Sequence, residues 1–121
     1  MKKRTHYRLK VWQLSIEMVS HVYQATRRFP KEEIYALTGQ MRRAAISVPS
    51  NIAEGAARTT DREFLSFLSI ARGSLSELET QLIISQRLGY MEKNTDLTEK
   101  INKLFLLLNG LMRSVRRKVA A

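Results

Sequence analysis

The sequence predicts an all-α fold, and within that class an antiparallel up-down-up-down four-helix bundle. Apolar residues recur every three or four positions in four separate stretches, the spacing that gathers them on one face of a helix. Composition agrees: two prolines and five glycines stand against a large supply of Leu, Ile, Ala, Glu, Arg and Lys, which favour helix over sheet or disorder. At 121 residues the chain fits one domain, 1–121. A chain of that length buries about two-thirds of its unfolded surface, enough for one core.

Helix one is predicted over about 9–28, after a basic tail at 1–8. Its seam is Val11, Leu14, Met18, Val22, Ala25 and Phe29, and Phe29-Pro30 closes it. Helix two, about 32–57, carries Ile34, Leu37, Met41, Ala44, Val48 and Ile52. Pro49 falls inside that series, where its missing N–H and its ring clash should kink the helix without breaking it. Gly55 and the following Ala56-Ala57-Arg58-Thr59 weaken the pattern, and Thr60-Asp61-Arg62-Glu63 then supplies a capping box, hydroxyl first and carboxylate three residues on. Helix three, about 61–88, places Phe64, Leu68, Ala71, Leu75, Leu78, Leu82 and Ser85 at alternating steps of four and three, and Gly89 stops it. Asn94, Thr95 or Asp96 can cap helix four, about 96–118, whose seam is Leu97, Ile101, Leu104, Leu108, Leu111 and Val115. Connections this short set neighbouring helices antiparallel.

Several function classes are excluded early. The chain has no cysteine, hence no disulfide, thiolate metal site or thiol nucleophile, as fits a reducing cytoplasm. The charged start Met1-Lys2-Lys3-Arg4 is followed by Thr5, His6, Tyr7 and Arg8 where an export signal needs an apolar segment. The longest apolar run, Leu104 to Leu108, is far shorter than the roughly 20 residues of a membrane span. A soluble cytoplasmic protein is expected, with no membrane partner. Twenty-one Lys and Arg against eleven Asp and Glu leave a formal charge of +10, which attracts polyanions.

The bundle topology polarises that charge. One end gathers Lys2, Lys3, Arg4, Arg8, Lys10, Arg58, Arg62, Arg113, Arg116, Arg117 and Lys118 against Glu54, Asp61 and Glu63: eleven cations, three carboxylates, a balance of +8. At the other end six cations, Arg27, Arg28, Lys31, Arg87, Lys93 and Lys100, face five carboxylates, Glu32, Glu33, Glu92, Asp96 and Glu99. A basic pole of this kind can displace counterions from phosphates. The same residues also serve solubility, and Arg113 to Lys118 complement the negative end of the helix-four dipole. Tyr7 and Trp12 beside the tail can stack on unpaired bases, although Trp12 also suits a core position in an amphipathic helix.

Catalytic chemistry finds no support. Glu17 and His21, four apart, share a face, but a di-iron bundle needs Glu-x-x-His pairs on two helices, and none occurs. No phosphate-cradling glycine loop or nucleophile elbow is present, and Ser74 lies in a helix without a base at hand. Neither an enzyme, a metal site nor a cofactor is expected. Ser47, Asn51 and Glu54 form a polar stripe on helix two, and Ser66, Ser69, Gly73, Ser76 and Thr80 a stripe of small residues on helix three. If the stripes meet, they form a structural hydrogen-bond network that sets helix register. On helix four, Phe105, Leu106 and Leu107 add apolar surface beyond one seam, which predicts an interface in a homo-oligomer.

Taken together, Trp12-Gln13, Phe29-Pro30 with Glu33, Gln40-Met41-Arg42-Arg43-Ala44-Ala45, Ser47-Val48-Pro49-Ser50-Asn51-Ile52-Ala53-Glu54-Gly55 and Phe67-Leu68-x-Ile70-Ala71-Arg72-Gly73-Ser74-Leu75-x-Glu77-Leu78 resemble the bacterial 23S rRNA intervening-sequence proteins. The resemblance runs from about Trp12 to the end of helix four. It implies a four-helix bundle that assembles as a ring-like homopentamer, encoded in some bacteria within insertions of the large ribosomal RNA gene, with a poorly defined molecular role. That family is in turn similar to the accessory protein of diversity-generating retroelements, a basic pentamer that binds nucleic acid and a reverse transcriptase. Ala36-Leu37-Thr38-Gly39 departs from the Gly-Leu-Thr-Ser that members commonly carry there. Residues and resemblance together predict a cytoplasmic oligomer that binds RNA or DNA through phosphates, with Lys2, Lys3, Arg4, Arg58, Arg62, Arg113, Arg116 and Arg117 as the contacts. The rival expectation is a protein-interaction scaffold whose cations recognise an acidic partner.

Overall fold

The four stretches of three-and-four spacing become four α-helices: α1 Lys10–Thr26, α2 Leu37–Ala56, α3 Asp61–Arg87 and α4 Thr95–Ala120. The computed structural model describes residues 4–121, among which there is no strand; two 3-10 turns, Thr5–Arg8 and Lys31–Glu33, precede α1 and α2. Lys2 and Lys3 lie outside the described residues.

Local chemistry sets the helix ends. At α3 the Thr60 hydroxyl donates to Glu63 Oε1 at 2.9 Å and accepts the Glu63 N–H at 3.2 Å, which closes the capping box. Its far end is a Schellman turn: Gly89 adopts φ +76°, Tyr90 N–H donates to Ser85 C=O at 3.0 Å, and Gly89 N–H donates to Gln86 C=O at 3.1 Å. Asn94 is the residue that caps α4, accepting the Leu97 N–H at 3.0 Å. Helix α1 stops at Thr26, two residues short of expectation. There the Thr26 hydroxyl donates to Val22 C=O at 2.8 Å while accepting from Arg42 Nε at 2.9 Å.

The largest departure is the start of helix two. The chain makes a 3-10 turn at Lys31–Glu33 and enters α2 only at Leu37, so Ile34, expected on the seam, is 52% exposed. Glu33 holds this entry: one carboxylate oxygen accepts the Leu37 N–H at 3.3 Å and the other the Tyr90 phenol at 2.8 Å. Gly39 is needed just beyond, because a Cβ there would sit 2.8 Å from the Ile34 carbonyl oxygen. Helix α2 then runs on through Pro49, which is buried. The expected tail at 1–8 is also partly folded, since Thr5–Arg8 forms a turn whose Tyr7 carbonyl accepts from Gln13 Nε2 at 2.7 Å.

Seam residues from all four helices meet in one core, including Met18, Val22, Met41, Val48, Ile52, Leu68, Leu75, Leu78, Leu97, Ile101, Leu104 and Leu108. On α4 the seam shifts by one near its end: Met112 is buried and Leu111 only partly so. Along the bundle, rising positions of one helix meet falling positions of the next. Met41, Ser47 and Gly55 of α2 touch Ser85, Ser74 and Phe67 of α3 in turn. Arg72 of α3 donates to Asn109 of α4 at 3.1 Å, Asp96 of α4 lies 3.5 Å from His21 of α1, and Thr26 of α1 holds Arg42 of α2. Each helix packs on two others, α1 and α3 both lying between α2 and α4. The start of α1, the α2–α3 connection and the end of α4 therefore share one end of the molecule.

Candidate nucleic-acid interface

At that end the solvent takes the charged residues, because the seam positions of every helix are already committed to the core. Arg4, Arg8, Lys10, Arg58, Arg62, Arg113, Arg116, Arg117 and Lys118 are all exposed. The nearby carboxylates Glu54, Asp61 and Glu63 are exposed too, but none neutralises them by contact. Among the described residues the ion pair is that of Lys100 with Asp96 at 3.3 Å, and Asp96 also lies 3.5 Å from His21 Nδ1, both at the opposite end. Glu63 is engaged by the Thr60 cap, and Asp61 sits in the first turn of α3, where it favours the positive end of the helix dipole.

Two parts of the cluster have a defined geometry. The Arg58 guanidinium carbon lies 4.8 Å from the centre of the Phe67 ring, a cation–π contact beside the α2–α3 connection. Gly55 makes that possible, since α2 approaches Phe64 and Phe67 so closely that a Cβ at 55 would be 2.6 Å from the Phe67 Cβ. On the last turns of α4, Arg113, Arg116 and Arg117 line a shallow recess of about 270 Å³ with Ala120. At the nearby start of α1, the rings of His6, Tyr7 and Trp12 form a cluster of their own, with Trp12 packed partly against the core.

The polar stripe on helix two is placed differently from expectation. Ser47 and Asn51 do come together, Asn51 Nδ2 donating to Ser47 Oγ at 2.9 Å and to Ser47 C=O at 2.8 Å. Their partner across the interface is Ser74, whose hydroxyl lies 2.7 Å from that of Ser47. Glu54 is exposed and makes no hydrogen bond within this group. The small residues Ser66, Ser69, Gly73, Ser76 and Thr80 do not meet α2 at all: every one is exposed on the outer side of α3. The α2–α3 interface instead carries Ser74, Gln81 and Ser85, with Gln81 Oε1 buried and without a hydrogen bond.

The apolar excess of α4 divides likewise. Phe105 and Leu107 pack against the core from either side of the Leu104 and Leu108 seam, and Leu106 alone faces away, 73% exposed. Apolar exposure that the seam reading missed lies on other helices, at Ile16 and Ile46 across the α1–α2 groove and at Ile70, Ile83 and Ile84 on α3. These residues fall outside the regular three-and-four steps, which is the signal that marks them as surface.

At the opposite end, the Tyr90 phenol is held above its ordinary pKa of 10.0 by its hydrogen bond to Glu33, by burial, and by the charges of Glu33 and Glu32. Among the described residues no three His, Asp or Glu side chains converge as metal ligands, and no helix is long and apolar enough to cross a membrane.

The family model described as 23S rRNA-intervening sequence protein matches residues 7–110. That span takes in the last two residues of the N-terminal turn, the first three helices and more than half of α4. No curated protein matches the chain.

Proposed function

The chain belongs to the 23S rRNA-intervening sequence protein family, and on that footing we propose that it is a non-enzymatic cytoplasmic homo-oligomer that binds RNA or DNA through phosphate contacts. The observation that carries the proposal is the set of exposed cations at one end, none of them within 4.0 Å of a carboxylate among the described residues. Unpaired cations on a surface keep their full attraction for phosphate, whereas paired ones must first break a contact. Arg58, Arg62, Arg113, Arg116, Arg117 and Arg4 are the contacting residues, with Lys2 and Lys3 adding charge from the same terminus.

Phosphate contacts confer affinity without sequence reading, so the protein binds many sequences alike. In a closed homo-oligomer, a pentamer by the resemblance, every subunit repeats the cluster, and one polyanion engages several clusters at once. Labelled RNA and duplex DNA titrated at a low and a moderate salt concentration test this. Binding that is firm at low salt and falls steeply at the higher one is the expected result. No binding even at low salt would end the proposal, and an acidic protein recovered by pull-down after nuclease treatment would turn it toward a scaffold role.

A further inference from the structure

The cations of the N-terminal turn lie next to an aromatic surface that the phosphate reading leaves unused. The Tyr7 and Trp12 rings stack with centroids 5.4 Å apart and planes 25° from parallel, and the His6 ring meets each edge-on at 4.9 Å. The turn is tied to α1 through the Gln13 to Tyr7 hydrogen bond. Tyr7 nevertheless stays 39% exposed. An aromatic ring fixed by a stack yet still partly exposed to solvent is a preformed platform, with little side-chain entropy left to lose when a second ring lands on it. Beyond Trp12 the surface continues into an apolar groove of about 380 Å³ between α1 and α2, walled by Ile16, Ile46 and Ala53. Exposed Arg4, Arg8 and Lys10 flank the platform.

Cations beside partly exposed aromatic rings and an apolar groove suit one polyanion in particular. A duplex keeps its bases paired and stacked on each other, so it can satisfy the cations and leave the rings bare. A single strand offers both its phosphates and its unstacked bases, and every base has a π-face, so no sequence preference is required. We propose that the Tyr7–Trp12 stack and its groove take the unpaired bases of a single-stranded nucleic acid, while Arg4, Arg8 and Lys10 hold its phosphates. The proposal rests on the phosphate-binding reading above and adds the form of the strand.

Trp12 is the chain's one tryptophan, so its emission reports on the platform directly. The full chain is titrated at one low salt concentration with oligothymidylate, with oligouridylate and with a DNA duplex of equal phosphate number. Both single strands are expected to quench Trp12 and to bind more tightly than the duplex. The DNA and RNA arms show whether the 2′-hydroxyl adds anything. Tyr7→Ala is expected to weaken single-strand binding by about tenfold and leave duplex binding unchanged, while Tyr7→Phe, which keeps the ring, retains wild-type affinity. Single-strand affinity unmoved by Tyr7→Ala overturns the platform, as does unquenched Trp12 with single strand and duplex bound alike, the result expected if a second copy covers the groove. In those cases the phosphate reading stands, whereas failure of all three probes to bind overturns both.

Discussion

Replacing Gly55 with alanine tests a close approach of α2 to α3, near the place where Arg58 lies over Phe67. The added Cβ would lie 2.6 Å from the Phe67 Cβ, 3.0 Å from Phe64 Cδ1 and 3.3 Å from the Phe64 carbonyl oxygen. Two of those atoms are backbone or one bond from it, so no rotamer change relieves the clash and α2 must move off α3 by about 1 Å to restore ordinary contact. Overpacking of this kind costs about 1–3 kcal/mol, and the absence of a flexible neighbour puts Gly55→Ala in the upper half of that range. The better helix propensity of alanine offsets roughly 0.8–1.0 kcal/mol. The net expectation is a loss of about 1–2 kcal/mol, or roughly 4–8 °C in Tm for a chain of this length. Gly73 provides the control. It lies in the same pair of helices, but nothing stands within 4 Å of its would-be Cβ, so Gly73→Ala is expected to gain about 0.5–1 kcal/mol. Urea unfolding followed by circular dichroism at one protein concentration measures both, the fixed concentration being needed because assembly would shift the midpoint. A Gly55→Ala protein as stable as wild type, or the two variants moving in the same direction, would refute the close approach.

Two further outcomes concern α4 and Tyr90. Leu106→Glu is expected to change subunit unfolding by no more than about 0.5 kcal/mol, since the side chain is 73% exposed, and to shift the mass measured by light scattering toward the monomer if this face joins subunits; Phe105→Ala, whose ring packs on the core, is expected to lose roughly 1–3 kcal/mol instead. Tyr90 is expected to titrate above the ordinary tyrosine value of 10.0, as seen in tyrosinate absorbance. Because its folded pKa is raised, the stabilisation it shares with Glu33 is present below pH 10.0 and is lost as pH rises through the folded value; Glu33→Gln should return it toward the ordinary range, and a Tyr90 titration unchanged in that variant would rule out Glu33 as the cause.

What was legible in the sequence was whatever local spacing determines. The Thr60–Glu63 box, the Gly89 stop and the seams of α1 and α3 are decided within a few residues, and the structure has them where periodicity put them. The misreadings involve partners distant along the chain. The late start of α2 depends on Glu33 answering to Tyr90, fifty-seven positions away, and on the lack of room at Gly39. Thr26 ends α1 while holding Arg42. Ser47 and Asn51 of the α2 stripe do meet α3, and the α3 stripe lay elsewhere for a geometric reason that was available: at 100° per residue Ser74, adjacent to Leu75 of the seam, turns inward, whereas Ser69, Gly73 and Ser76 turn outward. Phe105 and Leu107 flank the seam and pack partly against the core, and only Leu106 lies opposite it. For the basic cluster the cations were legible as a count, but their freedom from carboxylates depends on where Asp61, Glu63 and Asp96 turn in the folded chain.

If one end of the bundle holds phosphate, and not the overall charge, then two variants of equal net charge must behave differently. The first carries Arg113→Gln, Arg116→Gln and Arg117→Gln together at the basic end; the second carries Arg27→Gln, Arg28→Gln and Lys31→Gln together at the other, all six residues being exposed. The slope of log affinity against log salt for a DNA duplex should fall in magnitude by up to roughly 2.7 for the first variant, about 0.9 for each phosphate no longer neutralised, and stay at the wild-type value for the second. Equal slopes for the two variants would contradict phosphate binding by the basic end.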